Sequence, residues 1–355
     1  MKVSDYVAKY LKERNIDQVF SVTGGFAMHL NDSFGSEMNV VYPHGENPCG
    51  YSAVGYSKVT QKPSVVCVTA GCGETNAVTP CLIAYQDSVP VFFISGGVPH
   101  RESIKWKREM EGVSTRIHSG SDHDVYETVK NITKFSHVLW DPMKLHQILD
   151  QCIYHLTSAR PGPVWLSIPL DIQSMQISSP LDGWTPPDRK CNNLENKLQN
   201  LRDAWVKSKR PVILAGNGIR LSNSETKLKT FVDLHKIPIV STYFGTDLVP
   251  EYNVGRVGVL GDRTGNFTIQ NSDLILNLGS RMSKSVIGYR PDWFAREATI
   301  FTVNIEDDEP MDLTDFFELN NLPVINREDW LGKTFEWKER WFGEVPDPEK
   351  GLQCP

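Results

Sequence analysis

Ser64-Val-Val-Cys-Val-Thr69, followed by Ala-Gly-Cys-Gly-Glu-Thr-Asn (70–76), is the stretch from which the fold can be read. An apolar run without polar alternation suits a strand buried on both faces, and the glycines behind it end the strand where a helix begins. The same unit recurs outward on both sides. Toward the N-terminus, Ser4 can cap a helix carrying Tyr6, Val7, Tyr10 and Leu11, after which Gln18-Val-Phe-Ser-Val22 runs into the Gly24-Gly25 turn. Asn39-Val-Val-Tyr42 then leads to a helix with Asn47 as its expected cap and Pro48 as its first residue. Toward the C-terminus, Val89-Pro-Val-Phe-Phe-Ile-Ser95 and Pro163-Val-Trp-Leu-Ser-Ile-Pro169 read as strands, the latter preceded by a helix over 142–158. Strands alternating with helices predict a parallel sheet covered on both faces, a doubly wound α/β domain.

Residues 176–195 include Pro180-Leu-Asp-Gly-Trp-Thr-Pro-Pro-Asp-Arg-Lys190, polar and proline-rich with no hydrophobic period, which reads as a linker. Beyond it the rhythm restarts at 211–218, 237–241, 274–279 and 300–305, predicting a second doubly wound parallel-sheet domain. The expected division is 1–178, 194–335 and a tail at 336–355. Two domains also suit a chain of 355 residues. Trp330, Trp337 and Trp341 share one helical stripe and are expected to serve packing.

With 40% hydrophobic and 23% charged residues, the composition is that of a folded globular protein. A net charge of -6 without a basic block excludes the electrostatic footprint of a nucleic-acid or anionic-membrane binder. No run approaches the ~20 apolar residues of a membrane span, and Met1 to Tyr10 reads as an amphipathic helix and not a signal peptide, so a cytoplasmic location is expected. The seven cysteines form no close pair and are expected to be free thiols.

Two turns carry the chemistry. Glu46 stands at the C-terminal end of a parallel strand, where ligand sites of open α/β sheets gather, and Gly50, Ala53 and Gly55 behind it suit close packing against a sheet or subunit. Gly71 and Gly73 resemble the start of a dinucleotide fingerprint. The third small position is Asn76, however, and the next strand ends in Ser95-Gly-Gly97 with no acid for a ribose, which argues against a nicotinamide cofactor. His118, Asp122, His123 and Asp124 match no defined metal spacing and read as an exposed loop, so no metal site is expected in this chain; His44 reads as a loop histidine.

Further motifs stand in order around these turns: 19–32, 71–79, 87–96, 160–169 and 261–281, the last ending in Leu278-Gly-Ser-Arg281. Together they resemble the N-terminal two-thirds of the thiamine diphosphate enzymes related to acetolactate synthase, over residues 1 to about 335. The resemblance implies a pyrimidine-binding first domain and a Rossmann-like central domain. It makes Glu46 the acid that activates thiamine diphosphate, with Thr23 and Gly24 bordering the cleft and Cys72 and Asn76 beside the pyrimidine. The carboxyl hydrogen-bonds the pyrimidine ring nitrogen and so promotes removal of the thiazolium proton. The implied reaction is carboligation or decarboxylation of a 2-oxo acid such as pyruvate, that of a transferase or lyase.

Relatives usually carry proline where Cys72 stands and, in acetolactate synthases, glutamine where Gly97 stands. Arg281 and Gly261 coincide with positions near FAD in flavin-containing relatives, but the flavin-type Arg-Phe-Asp-Asp-Arg run is replaced by Arg281-Met-Ser-Lys-Ser285, which weighs against bound FAD. Relatives hold the diphosphate through magnesium on a C-terminal domain marked by Gly-Asp-Gly. These 355 residues contain no Gly-Asp-Gly. The expectation is a protein that binds only the pyrimidine end, in a homo-oligomer or with a diphosphate-binding chain. The alternative is a non-catalytic remnant serving regulation or assembly.

Overall fold

The computed structural model describes residues 1–178, 182–187, 194–307 and 310–341. They fall into two compact units that part after residue 188, inside the proline-rich stretch 176–195.

The first unit is built on a six-stranded sheet of β1 (Gln18–Ser21), β2 (Asn39–Val41), β3 (Ser64–Thr69), β4 (Val91–Gly97), β5 (Phe135–Val138) and β6 (Val164–Pro169), in the order β2-β1-β3-β4-β6-β5. Every pairing is parallel. Helices α1 (Val3–Lys12), α2 (Met28–Glu37), α3 (Glu46–Thr60), α4 (Cys72–Asn76) and α5 (Val78–Asp87) alternate with the early strands. Strand side chains alternate between two cores, as the pleat requires. Phe92 and Ile94 join Leu11, Phe34 and Leu149 on one face, while Phe93 joins Cys49, Ala53, Cys81 and Trp165 on the other. Phe93 and Trp165 stack with centroids 5.0 Å apart.

The second unit carries β7 (Pro211–Ala215), β8 (Ile239–Ser241), β9 (Asn253–Arg256), β10 (Leu274–Leu278) and β11 (Thr299–Val303). Their order is β11-β10-β7-β8-β9, again parallel throughout. Trp205, Phe231 and Phe316 fill one face and Val212, Leu214 and Ile275 the other.

One expectation is corrected here. Residues 336–341, read as part of a tail, complete a helix that runs from Glu328 to Trp341. Trp330 Nε1 donates to Pro211 O at 2.9 Å, and Trp337 and Trp341 meet Phe267 edge to face at 4.8 and 5.1 Å. The tryptophan stripe is packing, and it ties the helix to the second unit. Residues 342–355 lie outside the described residues.

Five cysteines among the described residues are free thiols, four of them buried and Cys72 exposed; Cys191 and Cys354 lie outside the described residues. No helix among the described residues is long and apolar enough to cross a membrane.

Candidate active site

In the first unit the chain runs from β1 outward to β2 on one side and to β3 and β4 on the other, so the order reverses between β1 and β3. Ligands of open α/β sheets bind in the crevice outside the strand ends at such a switch point. Thr23 and Gly24 follow β1 at this edge, and Gly71 opens the turn after β3. A Cβ on Gly24 would lie 2.4 to 2.8 Å from the Thr69 side chain, so only glycine lets the two turns approach. Thr69 Oγ1 accepts the Phe26 N–H at 3.2 Å and fixes the same approach.

Glu46 is the first residue of α3, with Gly45 in an extended conformation as its cap. The helix therefore starts two residues earlier than expected, with Gly45 in place of Asn47 as its cap. Pro48 is tolerated as the third residue because N–H groups of the first turn have no partner inside the helix. Starting the helix here places the carboxylate at its positive end. Asn76, the last residue of α4, donates Nδ2–H to Glu46 Oε2 at 3.0 Å. A Cβ on Gly73 would stand 3.5 Å from Glu46 Oε1, so the absent side chain leaves that oxygen uncovered on its α4 side.

The structure thus brings Glu46, Gly73 and Asn76 together, with Cys72 exposed on the same short helix and Thr23 exposed at the adjoining strand end. Cys49, one turn into α3, has its thiol pushed up to about 12 by burial and by the Glu46 charge, so it is not a nucleophile near neutral pH. His44 is exposed ahead of α3. In the second unit, Arg281 is exposed after β10, and Gly261 closes a turn with its N–H on Gly258 O at 2.9 Å.

The acid-histidine segment differs from an exposed metal-like loop. Asp122 is buried and accepts the backbone N–H groups of Ile104 at 2.6 Å and His118 at 3.3 Å. Asp124 caps the helix Val125–Val129, and His123 Nε2 meets Thr128 Oγ1 at 2.9 Å. These side chains are spent on local structure. Among the described residues, no three His, Cys, Asp or Glu side chains gather as a metal site requires.

Glu74 went unnoticed in the sequence. It is 1% exposed, and burial pushes its carboxyl up to about 8, with Asp122 and Asp124 acting in the same direction. Its signal is a glutamate at the third helical position after Gly71, the acid half of a capping box.

Residues 1–115 match the thiamine pyrophosphate enzyme N-terminal TPP binding domain, and residues 198–314 match the thiamine pyrophosphate enzyme central domain. Among similar proteins, the acetolactate synthase large subunit of Lactococcus lactis subsp. lactis (strain IL1403) is 30% identical over 312 residues, covering 85% of this chain and 52% of its own length. The chloroplastic acetolactate synthase of Arabidopsis thaliana is 29% identical over 325 residues, 87% of this chain and 45% of its own. The mitochondrial acetolactate synthase of Schizosaccharomyces pombe (strain 972 / ATCC 24843) is 28% identical over 395 residues, 96% and 56%. The chain spans about half the length of the curated relatives it matches.

Proposed function

The chain belongs to the thiamine pyrophosphate enzyme family and is acetolactate synthase-like, and from that premise we propose that its first unit activates thiamine diphosphate, with Glu46 as the activating acid. The observation that carries the reading is the Glu46–Asn76 pair at the β1/β3 crevice. Asn76 engages Oε2, while Oε1 has no hydrogen-bond partner among the described residues and lies on the open side of Gly73. That donor set fits the polar edge of an aminopyrimidine. Thiamine diphosphate, when bound, supplies the electron sink for a carbanion derived from a 2-oxo acid.

The chain's own residues divide the remaining work. Glu46 holds a proton at the pyrimidine ring nitrogen, and Asn76 fixes the direction in which the carboxyl presents it. Thr23 and Gly24 wall the cleft, and Cys72 lines it from α4. The reaction we propose is carboligation or decarboxylation of a 2-oxo acid such as pyruvate, with the diphosphate and magnesium held by residues outside this 355-residue segment. Tyr51 and Val59 on α3 and Leu82 and Tyr85 on α5 are exposed. They offer an apolar face through which a second copy, or a diphosphate-binding chain, brings those residues to Glu46. FAD has no part in the reading.

The test adds thiamine diphosphate and magnesium to the protein, with and without the candidate second chain. Binding is followed by calorimetry, and exchange of the thiazolium C2 proton for deuterium by NMR. Glu46→Gln is expected to slow the exchange by ~100-fold or more while leaving the fold intact. Exchange at the wild-type rate in the variant would refute the role.

A further inference from the structure

The Gly71–Asn76 turn carries half of the candidate site but has little to hold it. α4 has only five residues. Gly71 sits at φ +77°, and a Cβ there would come within 2.9 Å of Ser121 O, so its backbone is one that side-chain-bearing residues rarely adopt. Such a turn keeps one shape only if something outside it supplies the constraint.

Glu74 supplies that constraint from below. Its Oε2 accepts the Gly71 N–H at 3.1 Å, closing the turn on itself. The Ser95 side chain stands near enough to the same carboxyl to favour its charged form, and Ser95 Oγ accepts Trp165 Nε1–H at 3.0 Å. Ser95 lies on β4 and Trp165 on β6, both fully or almost fully buried in the middle of the sheet. Glu74 therefore stands between the Gly71 amide, which it holds by a hydrogen bond, and the Ser95–Trp165 pair on two rigid strands. One helical turn further, α4 presents Gly73 and Asn76 to Glu46.

We propose that Glu74 is a positioning residue: it anchors the Gly71–Asn76 turn to the sheet and through it sets the Asn76–Glu46 contact. The inference rests on the reading of Glu46 as the cofactor-facing acid. It adds a residue, buried behind the crevice, that needs no contact with any ligand.

The surroundings decide the charge state in which Glu74 does this. Asp122, Asp124, Lys105 and His123 line the small cavity beside it, together with Ser103 and Ser167. Asp122 is buried and itself shifted up, while Lys105 lies 2.6 Å from Glu109. Two acids on the cavity wall and the loss of water both favour neutral Glu74. In that state the carboxyl accepts from Gly71 without placing an additional negative charge next to Asp122. Raising the pH through about 8 ionises Glu74, which changes the charge on the acceptor of the Gly71 amide and places a buried charge beside Asp122.

The experiment uses the full chain without cofactor, selectively labelled with 15N-glycine and 15N-asparagine, as wild type, Glu74→Gln and Glu74→Ala. The wild-type Gly71 amide is expected to titrate with a midpoint near 8, whereas in Glu74→Gln it stays flat and the Asn76 side-chain resonances keep their wild-type positions. In Glu74→Ala the Asn76 side chain shifts and amides 71–76 exchange ~10-fold faster, the loss of one buried hydrogen bond, while β3 and β4 keep their protection. If Glu74→Ala does not fold, the contrast between wild type and Glu74→Gln at Gly71 decides the question. A Gly71 amide that does not titrate in wild type, or wild-type exchange at 71–76 in Glu74→Ala, overturns the inference. Adding thiamine diphosphate and magnesium tests the underlying reading separately: an Asn76 side chain that does not respond counts against Glu46 as the cofactor-facing acid, whatever the cofactor-free spectra show.

Discussion

Gly50 and Gly55 lie five residues apart on α3, and the structure assigns opposite signs to the same substitution at the two positions. A Cβ on Gly50 would fall 2.3 Å from Pro80 Cγ and 2.4 Å from Pro80 Cβ, with Phe93 Cε1 at 3.7 Å. The Pro80 ring, buried at the start of α5, cannot rotate away, so α3 and α5 must separate. Overpacking costs about 1–3 kcal/mol, and an overlap this deep against a ring that cannot rotate belongs in its upper part, about 2–3 kcal/mol, while the gain in helix propensity from glycine to alanine returns about 1 kcal/mol. Gly50→Ala is therefore expected to lose about 1–2 kcal/mol, a fall in Tm of ~3–6 °C for a unit of this size. At Gly55 a Cβ meets nothing within 4 Å. Gly55→Ala keeps only the propensity gain, ~0.5–1 kcal/mol, and its Tm rises by ~1–3 °C. Thermal unfolding of the first unit, followed by hydrogen exchange of β3 and β4 peptides, measures both variants. Gly55 is an exposed neighbour of Tyr51 and Val59 on the proposed self-association face, so each protein is measured at two concentrations to separate lost assembly from lost stability. A Gly50→Ala protein as stable as Gly55→Ala would refute the packing argument.

Three more outcomes follow from buried charge. Glu74 has a folded value near 8 against an ordinary 4.5, so between those pH values the native state holds a proton that the unfolded state has released, and stability falls as pH rises. Urea unfolding of Glu74→Gln should lack this loss and be ~2–3 kcal/mol more stable than wild type at pH 8, within a ceiling of about 5 kcal/mol. His235, buried between Trp205 and Phe231, is lowered by burial from 6.5 to about 4. The unfolded state then binds the extra proton, so the second unit loses stability as pH falls from 6.5 to 4, and unfolding curves of His235→Phe should lack that dependence. Arg327 is buried, donates to Trp205 O at 2.5 Å and Ser208 O at 3.2 Å, and lies 4.5 Å over the Trp205 ring. Arg327→Met leaves both carbonyls without that donor and should cost the second unit about 1–3 kcal/mol in urea unfolding.

The strands that were legible in the sequence are those whose apolar runs have no polar interruption, above all β3, β4, β6, β7 and β10. β5 and β9 escaped notice for a physical reason. Each is an edge strand, and Phe135-Ser-His-Val138 and Asn253-Val-Gly-Arg256 lack the continuous apolar run of a strand covered on both faces. The start of α3 was misplaced because Asn47-Pro48 has the form of a cap and first residue, whereas the extended Gly45 lets the helix begin earlier and takes Glu46 into it. Glu74 stayed hidden because glycine, not serine or threonine, precedes it at the cap. Half of the capping-box signature was therefore absent. Gly73 and Asn76 were legible as a turn, but their contact with Glu46 depends on pairing between strands distant in sequence.

That pairing ties the site to the core. Val40, Val19 and Val65 stand in one row across β2, β1 and β3, and all three contribute to the first-face core. In the next row Phe20 pairs with Val41 and Val66, and Phe20 and Val66 belong to the opposite core. A slip of one residue between β1 and β3 would set side chains of one face against those of the other, so burial alone excludes it. The same register fixes where the three chains leave the sheet. Beyond the Val41–Phe20–Val66 row, β2 stops at once and reaches Glu46 through a short loop, β1 goes one residue further before Thr23 and Gly24, and β3 goes three further before its glycine turn. α4 follows this longer strand, and from its last residue Asn76 reaches Glu46. A change that shortens β3 by two residues preserves which face each side chain occupies, yet it withdraws α4 from Glu46. The site is therefore more sensitive to strand length than the fold is.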